Sequence, residues 1–294
     1  MIITQIIGGL GNQMFQYAVA RSLAIRKKVP LYLDISAYRT YKKHQGFELK
    51  RIFNCAGEIA TAAHLRSVLG WCALPGMGGL AQQQSAIRRF LCPQLIVEPH
   101  FHYWPQIWEI PDKAYLVGYW QSERYFQEIA ATLRQDFTFC QPLSKVNQDW
   151  LARIKACNAV SIHIRRGDYA LEKVTRHVHG LLPLSYYHRA IKYLTEQLEE
   201  PTFFIFSDEI AWAKEHLRLP FSHYFVEHNR DRESYNDLRL MSACKHHILA
   251  NSTFSWWGAW LCSSPSKIVI APQQWFTIKG KNTEDLIPNT WLRM

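Results

Sequence analysis

The sequence predicts an α/β protein whose parts are parallel sheets covered by helices. Three observations carry that prediction. Ile2 to Ile7 reads as a β-branched strand running into Gly8-Gly9-Leu10-Gly11, a helix and a second strand, which is how a doubly wound domain opens. From Ala159 onward, short apolar strands alternate with amphipathic helices, the pattern of a parallel sheet buried on both faces. The 294 residues suffice for one large or two medium domains, and between Thr138 and Asn147 the pattern breaks at Pro142 among polar residues. The expected division is 1–145 and 146–294.

Taken in order, the first helix carries Met14, Phe15, Ala18, Val19 and Leu23 on its apolar face, and Pro30 to Asp34 is the second strand. Gly70 to Pro111, rich in Gly, Pro, Gln and aromatic residues, reads as irregular. Ala114 to Trp120 is a strand, and Gln121-Ser122-Glu123-Arg124 starts a helix. Beyond the boundary, Ala159 to Ile164 is a strand, followed by a helix from Ser185 to Leu198 with Tyr187, Ile191, Leu194 and Leu198 as its stripe. Then come a strand at Phe203 to Phe206, a helix at Ile210 to Leu217 and a strand at Tyr224 to Glu227. A helix at Ser234 to Cys244, a strand at His247 to Ala250, a short helix at Trp256 to Leu261 and a last strand at Lys267 to Ala271 complete the pattern.

Composition excludes several classes. Hydrophobic residues make up 48% and charged residues 20%, an ordinary globular balance. Eleven tryptophans suit either a packed core or a sugar-stacking surface. A net charge of +10 fits nucleic acid, an anionic membrane or a phosphorylated substrate. Charge names a partner only when clustered, and the longest basic run is Arg26-Lys27-Lys28, so no nucleic-acid partner is expected. Seven cysteines, an odd number with no Cys-x-x-Cys pair, predict neither a disulfide framework nor structural zinc, and favour a reducing compartment. Met1 to Ile7 is too short and polar for a signal peptide or anchor, and no apolar stretch reaches the length of a membrane span. A cytoplasmic location is expected, with any membrane contact peripheral and at the inner face.

Ligands of open parallel sheets bind outside the carboxyl ends of the strands. In the second half those ends read His163-Ile164-Arg165-Arg166-Gly167-Asp168-Tyr169, Ser207-Asp208-Glu209, Glu227-His228-Asn229-Arg230 and Asn251-Ser252-Thr253-Phe254-Ser255. Strand alternation puts His163 and Arg165 on one face, about 6–7 Å apart. An imidazole there could meet a nucleoside while a guanidinium forks two phosphate oxygens. The alternatives are a buried, hydrogen-bonded His163 and arginines that pair with Asp168 or another carboxylate, Arg166 above all. Asn251 to Ser255 offers hydroxyls and helix N–H groups as an anion cradle, or an ordinary helix cap. Asp208 could bond ribose hydroxyls or guanine N–H groups, or cap a helix. Gly8 to Gln13 misses the G-x-G-x-x-G spacing, and Asp34 adds little to it; the turn lets backbone approach a ligand with Asn12 and Gln13 on the cleft side, or is simply a tight turn. No Asp-x-Asp pair occurs, so cationic side chains rather than a divalent metal would neutralise a diphosphate.

Together these motifs resemble the α-1,2-fucosyltransferase family, glycosyltransferase family 11, in its bacterial form. Gly9-Leu10-Gly11-Asn12-Gln13-Met14 matches its N-terminal signature, and Val160 to Tyr169 matches the His-x-Arg-Arg-x-Asp motif shared with α-1,6- and protein O-fucosyltransferases. Tyr115 to Ser122 and Asp237 to Leu261 look like the bacterial members, the latter most clearly in Asn251-Ser252-Thr253-Phe254-Ser255-Trp256-Trp257-Gly258. The resemblance runs nearly the whole length, failing mainly between Gly70 and Pro111. It implies a GT-B-like fold of two facing Rossmann-like domains, with the donor GDP-fucose held by the C-terminal one and the acceptor side in the N-terminal one. It implies inverting transfer of L-fucose to the 2-hydroxyl of a galactose-terminated oligosaccharide or glycolipid, with no cofactor and no divalent metal. Arg165 would bind the β-phosphate and stabilise it as it leaves, His163 would contact the guanosine and Asp208 the nucleoside. Ser252 and Thr253 would meet the phosphates, with Asn251 and Phe254 beside them, and Asn12 with Gln13 would reach toward the pyrophosphate or fucose. Arg166 would support the phosphate site or tie its loop, and Asp168 is the nearest carboxylate to act as base. Trp120, Trp256 and Trp257 could stack on the galactoside or pack the core. The remaining alternatives are a fucosyltransferase of another linkage and a non-catalytic GDP- or glycan-binding protein.

Overall fold

A computed structural model describes residues 1–41, 43–73, 92–278 and 280–294; within the stretch read as irregular, residues 74–91 lie outside the described residues. The chain forms two compact units, Met1–Cys140 with Asn282–Leu286, and Gln141–Lys281 with Ile287–Met294.

The first unit is built on β1 (Ile2–Gln5), β2 (Leu31–Asp34), β3 (Glu58–Ile59), β4 (Leu95–Val97) and β5 (Ala114–Val117), in the order β3-β2-β1-β5-β4. All four pairings are parallel. Helix α1 (Leu10–Lys27) buries Met14, Phe15, Ala18, Val19 and Leu23, the face the apolar spacing marks out. Helices α2 (Leu49–Ile52), α3 (Ala62–Leu69) and α4 (Ala130–Asp136) are the other described α-helices of this unit. The chain runs outward from β1 through β2 and β3, then resumes on the other flank with β4 and β5. The direction of winding therefore reverses between β1 and β5, where open sheets place ligands.

The second unit has six parallel strands in the order β11-β10-β9-β6-β7-β8. They are β6 (Asn158–Ile164), β7 (Pro201–Ser207), β8 (His223–Val226), β9 (His246–Ile248), β10 (Val269–Ala271) and β11 (Leu292–Arg293). Winding starts at β6, goes out through β7 and β8, and returns on the other side through β9, β10 and β11. That is the nucleotide-binding doubly wound order, with its switch point between β6 and β9. Around these strands lie α5 (Lys145–Lys155), α6 (Gly167–Leu171), α7 (Lys173–His179), α8 (Leu184–Gln197), α9 (Ile210–His216), α10 (Tyr235–Ala243) and α11 (Thr253–Leu261). Val160, Ile162, Phe203 and Ile205 pack with Tyr187, Ile191 and Leu194 of α8 in one buried cluster. Each such side chain contributes roughly 1.5–3 kcal/mol when fully buried, which holds the centre of the sheet in place.

Two expectations change. Cys72 and Cys92 form a disulfide, their Cα atoms 6.5 Å apart, whereas the sequence predicted no disulfide framework. They are 20 residues apart and in no recognisable motif, so nothing in their spacing marked them; Cys55, Cys140, Cys157, Cys244 and Cys262 are free. The last strand is β11, only two residues long and paired to β10, too short to leave a periodic signal. Trp120, Trp256, Trp257, Trp260, Trp275 and Trp291 are buried, so for these the core reading holds over the sugar-stacking one. Among the described residues no helix is long and apolar enough to cross a membrane.

Candidate active site

The carboxyl ends of β6 and β9 flank the switch point of the second sheet, and five of the sequence-predicted residues stand on the β6 side or face it from β7. His163, next to last in β6, is buried, and the Tyr187 hydroxyl donates to its carbonyl at 3.2 Å. Its Nδ1 is enclosed without a partner, and burial, assisted by the Arg165 charge, lowers its pKa to about 3. The ring is thus neutral at physiological pH and able to accept or donate one hydrogen bond. Arg165 begins the loop after β6. Its Nη2 donates to Asp168 Oδ1 at 2.7 Å, and its Nη1 lies 3.1 Å from Asp208 Oδ2. Burial works against the guanidinium charge, but Asp208 and Asp168 outweigh it and raise the pKa, so the cation is permanent.

Arg166 has a different task. Its guanidinium lies 3.6 Å from the centroid of the Trp212 ring, and its Nε donates to Glu209 Oε2 at 3.1 Å. This is the carboxylate-paired arrangement, with a cation–π contact added. The Arg166 backbone N–H donates to Asp208 Oδ1 at 2.9 Å. Asp208 therefore grips the loop twice, once by backbone and once by Arg165. A Cβ on Gly167 would stand 2.6 Å from Asp208 Oδ2, so this grip needs glycine at that position. Two guanidiniums here face the carboxylates of Asp168, Asp208 and Glu209, and an arriving anion competes with them for Arg165 N–H groups.

On the β9 side the chain passes through Asn251 to the N-terminus of α11. Asn251 is buried; its Nδ2 donates to the His179 carbonyl at 2.8 Å and the Trp275 carbonyl at 3.3 Å, while Oδ1 has no partner. The Tyr169 hydroxyl donates to the Asn251 carbonyl at 3.2 Å, and the Tyr169 ring stacks on His179 with centroids 4.6 Å apart. Asn251 thus locks the loop after β9 to the segment that follows Arg165. Ser252 is the cap of α11, its Oγ accepting from Phe254 N at 3.4 Å. Thr253 opens the helix, and the Phe254 ring lies 5.9 Å from the His163 ring. This helix end and the Arg165 loop adjoin one switch point, an arrangement of helix N–H groups and one fixed cation that is chemically able to receive an anion.

Tyr169, His179, Glu209 and Trp212 belong to this site and were not singled out from sequence. Glu209 and Trp212 sit one and four residues beyond Asp208, and Tyr169 one beyond Asp168; only the fold says which of them turns inward. Burial lowers the His179 pKa to about 4, with Lys281 and Arg165 acting in the same direction against Asp168. The strand end at Glu227 to Arg230 does not join the site: Asn229 pairs with Asn147 and donates to Asp237 at 2.9 Å. Among the described residues no group of three or more His, Cys, Asp or Glu side chains could hold a metal ion.

Asn12 and Gln13 belong to the first unit, at the carboxyl edge of its own sheet. Gln13 is buried, donating to the Gly8 carbonyl at 3.0 Å and the Gly46 carbonyl at 2.8 Å, and accepting from Glu48 N at 2.9 Å. It braces the glycine turn. Asn12 accepts at Oδ1 from Gln121 Nε2 at 2.9 Å. Asp34 accepts from the Tyr115 hydroxyl at 2.6 Å and from Ser36 N at 2.9 Å, a role within the unit.

Comparison with known proteins adds four findings. A sequence model of glycosyl transferase family 11 matches residues 103–293. An alpha-1,2-colitosyltransferase of Escherichia coli is 34% identical over 100% of this chain and 99% of its own length. The O-antigen biosynthesis glycosyltransferase WbnK of Escherichia coli is 32% identical over 98% of each chain. Among solved structures, FUT1 of Arabidopsis thaliana in complex with GDP superposes with a TM-score of 0.52 at 13% identity, over 94% of this chain and 71% of that one. The likeness to it is one of fold, the GT-B type.

Proposed function

The chain belongs to glycosyltransferase family 11, and we propose that it transfers L-fucose from GDP-β-L-fucose to the 2-hydroxyl of a terminal β-galactoside, with inversion and without a divalent metal. The observation that carries the reading is Arg165: a permanently charged guanidinium, held at the switch point of a doubly wound sheet beside the N-terminus of α11. A sugar leaving a nucleoside diphosphate builds negative charge on the β-phosphate, and a fixed cation aimed there stabilises the transition state more than the ground state. His163 would meet the guanosine as a neutral imidazole. Ser252, Thr253 and the first N–H groups of α11 would face the phosphates, with Asn251 and Phe254 shaping that wall. Asp208 would keep Arg165 and its loop in place while touching the nucleoside, and Arg166 would stiffen the loop from below. Asp168 holds Arg165 through Oδ1, and its carboxylate would take the proton from the acceptor hydroxyl. In the first unit Asn12 would reach toward the pyrophosphate or fucose, and Gln13 keeps its turn in shape.

A second reading concerns the transferred sugar. The 34% identical relative is a colitosyltransferase, and colitose is fucose lacking the 3-hydroxyl. Both readings share the linkage chemistry and the site. Incubation with GDP-fucose or GDP-colitose and a panel of β-galactosides, with EDTA present, tests them by NMR linkage analysis of the product. An α-1,2-fucosylated galactoside is expected. Faster turnover of GDP-colitose would move the assignment to the second sugar, product only after metal addition would remove metal independence, and nucleotide binding without transfer would leave a non-catalytic binding protein.

A further inference from the structure

Strand β5 ends at Val117, and the turn after it treats two neighbouring aromatic residues in opposite ways. Trp120 is fully buried with φ at 56°, in the left-handed region that bulky residues avoid, whereas Tyr119 keeps 42% of its surface exposed. Glu98 fixes the turn, one carboxylate oxygen accepting from Tyr119 N at 2.7 Å and the other from Trp120 N at 3.0 Å. A Cβ on Gly118 would lie 2.5 Å from Glu98 Cβ, so this approach needs glycine. Gln16 ties the same turn to the end of β1, donating to the Gly118 carbonyl at 3.1 Å and accepting from Ile7 N at 3.0 Å. The outward Tyr119 ring thus stands on a rigid base, next to a strained residue of the kind that collects at ligand sites.

Tyr119 lies just beyond the carboxyl end of β5, beside the switch point between β1 and β5. Tyr38 follows β2 on the other side of β1; its hydroxyl donates to the Gly8 carbonyl at 2.7 Å, and its ring is edge-on to Tyr41 with centroids 6.0 Å apart. Burial raises the Tyr38 pKa, and Tyr41, Glu48 and Tyr119 add to it, so Tyr119 belongs to the same group of rings. Each sheet has one switch point, and the reaction has two substrates. The nucleotide is read onto the second sheet, which leaves the first for the acceptor. In a galactoside the axial 4-hydroxyl lies on one face and leaves the C–H groups of C3, C4 and C5 together on the other, an apolar patch that fits a tyrosine ring. We propose that Tyr119 is a specificity-determining residue for the acceptor: its exposed ring is the shelf on which the apolar face of the terminal galactoside stacks, with the 2-hydroxyl left at the edge of the sugar, open to reaction. The proposal rests on the reading of the chain as a galactoside-modifying transferase given above.

Removing and replacing the ring tests it. In Tyr119→Ala the KM for the galactoside should rise on the order of 10-fold, the loss of one aromatic contact, while the KM for the nucleotide sugar does not follow. Tyr119→Phe and Tyr119→Trp should recover most of that loss, because each restores a flat face; Tyr119→Leu, apolar but not flat, should not. A second readout needs no transfer. Methyl β-galactoside added to the full chain should take up NMR saturation from the protein most strongly at H3, H4 and H5 and least at H2, and Tyr119→Ala should abolish the effect. An unchanged galactoside KM in Tyr119→Ala, a rise confined to the nucleotide sugar, recovery in Tyr119→Leu, or saturation spread evenly around the sugar would each overturn the proposal. A chain that transferred no sugar would sink the functional reading alone, and the saturation pattern with its loss in Tyr119→Ala would still decide whether Tyr119 holds a galactoside.

Discussion

Arg165 spends one guanidinium N–H on Asp168 and pairs its charge with Asp208 at 3.1 Å, and a guanidinium has five N–H groups to give. The carboxylates fix its plane before a phosphate arrives, so little rotamer freedom is left to lose on binding. Removing it as Arg165→Ala should lower kcat by about 10²- to 10³-fold, the cost of losing a comparable electrostatic donor. Arg165→Lys should not restore it, because an ammonium cannot bridge two carboxylates and fork a phosphate. Saturation kinetics decide this, and wild-type turnover in either variant would refute the assignment. Asp168→Asn keeps an acceptor for Arg165 but no base. A proton-abstracting Asp168 predicts a loss of about 10²- to 10⁴-fold and a flattened acid limb of the pH–rate profile, whereas an intact limb would reduce its role to aiming Arg165. At this scale the sequence was informative about which side chains gather, and silent about their partners. Asn251 and Gln13 look like ligand amides in a motif; the structure commits Nδ2 of the first to two carbonyls and both ends of the second to the backbone. Nothing local distinguishes an amide that braces a turn from one that meets a ligand.

Elements converge on the site because parallel strands deliver their carboxyl ends to one edge, and that much follows from periodicity alone. Strands β6, β7 and β8 and helices α8, α9 and α10 were foreseen to within about two residues at each end, since long apolar runs and amphipathic stripes leave strong signals. Strand β5 stops at Val117, short of the Trp120 expected, because Gly118 and the left-handed Trp120 turn the chain toward Glu98, a residue the sequence reading left in an irregular stretch. The loop between β6 and α6 carries its own test. Gly167→Ala would push a Cβ to 2.6 Å from Asp208 Oδ2, so Asp208 must release either Arg165 or the Arg166 N–H. The expected outcome is a folded protein with reduced kcat in saturation kinetics; an unchanged kcat would show that the loop takes up the added methyl without loosening Arg165. Helix α11 gives a second test. Ser252→Ala should cost about 1 kcal/mol in unfolding free energy as a lost cap. A phosphate contact by the same hydroxyl adds a raised KM for the nucleotide sugar; an unchanged KM would leave Ser252 as a cap only.

The whole second unit titrates as a set of buried groups with opposed effects. Burial pushes the Asp237 carboxyl up to about 7, only partly countered by the Asn229 hydrogen bond, whereas burial lowers His163 to about 3 and His179 to about 4. For Asp237 the folded form holds its proton between the ordinary 3.8 and about 7 while the unfolded chain has lost it. Its contribution to stability is therefore complete at low pH and declines as pH rises through that window. The histidines act in reverse: below the ordinary 6.5 the unfolded chain takes up protons that the folded one refuses, so stability falls as pH drops toward about 4 and then about 3. Below 6.5 these two histidines are joined by His228, His246 and His247, whose pKa values burial also lowers, and together they outweigh one aspartate; above 6.5 only the aspartate slope remains. Stability of this unit should thus peak near pH 6.5, which urea midpoints with hydrogen exchange of α10 and β6 would record. Asp237→Asn should steepen the rise below the peak and abolish the decline just above it. If the decline persisted in that variant, the ionisation would belong to another group and Asp237 would not be the buried acid of the Asn147–Asn229 network.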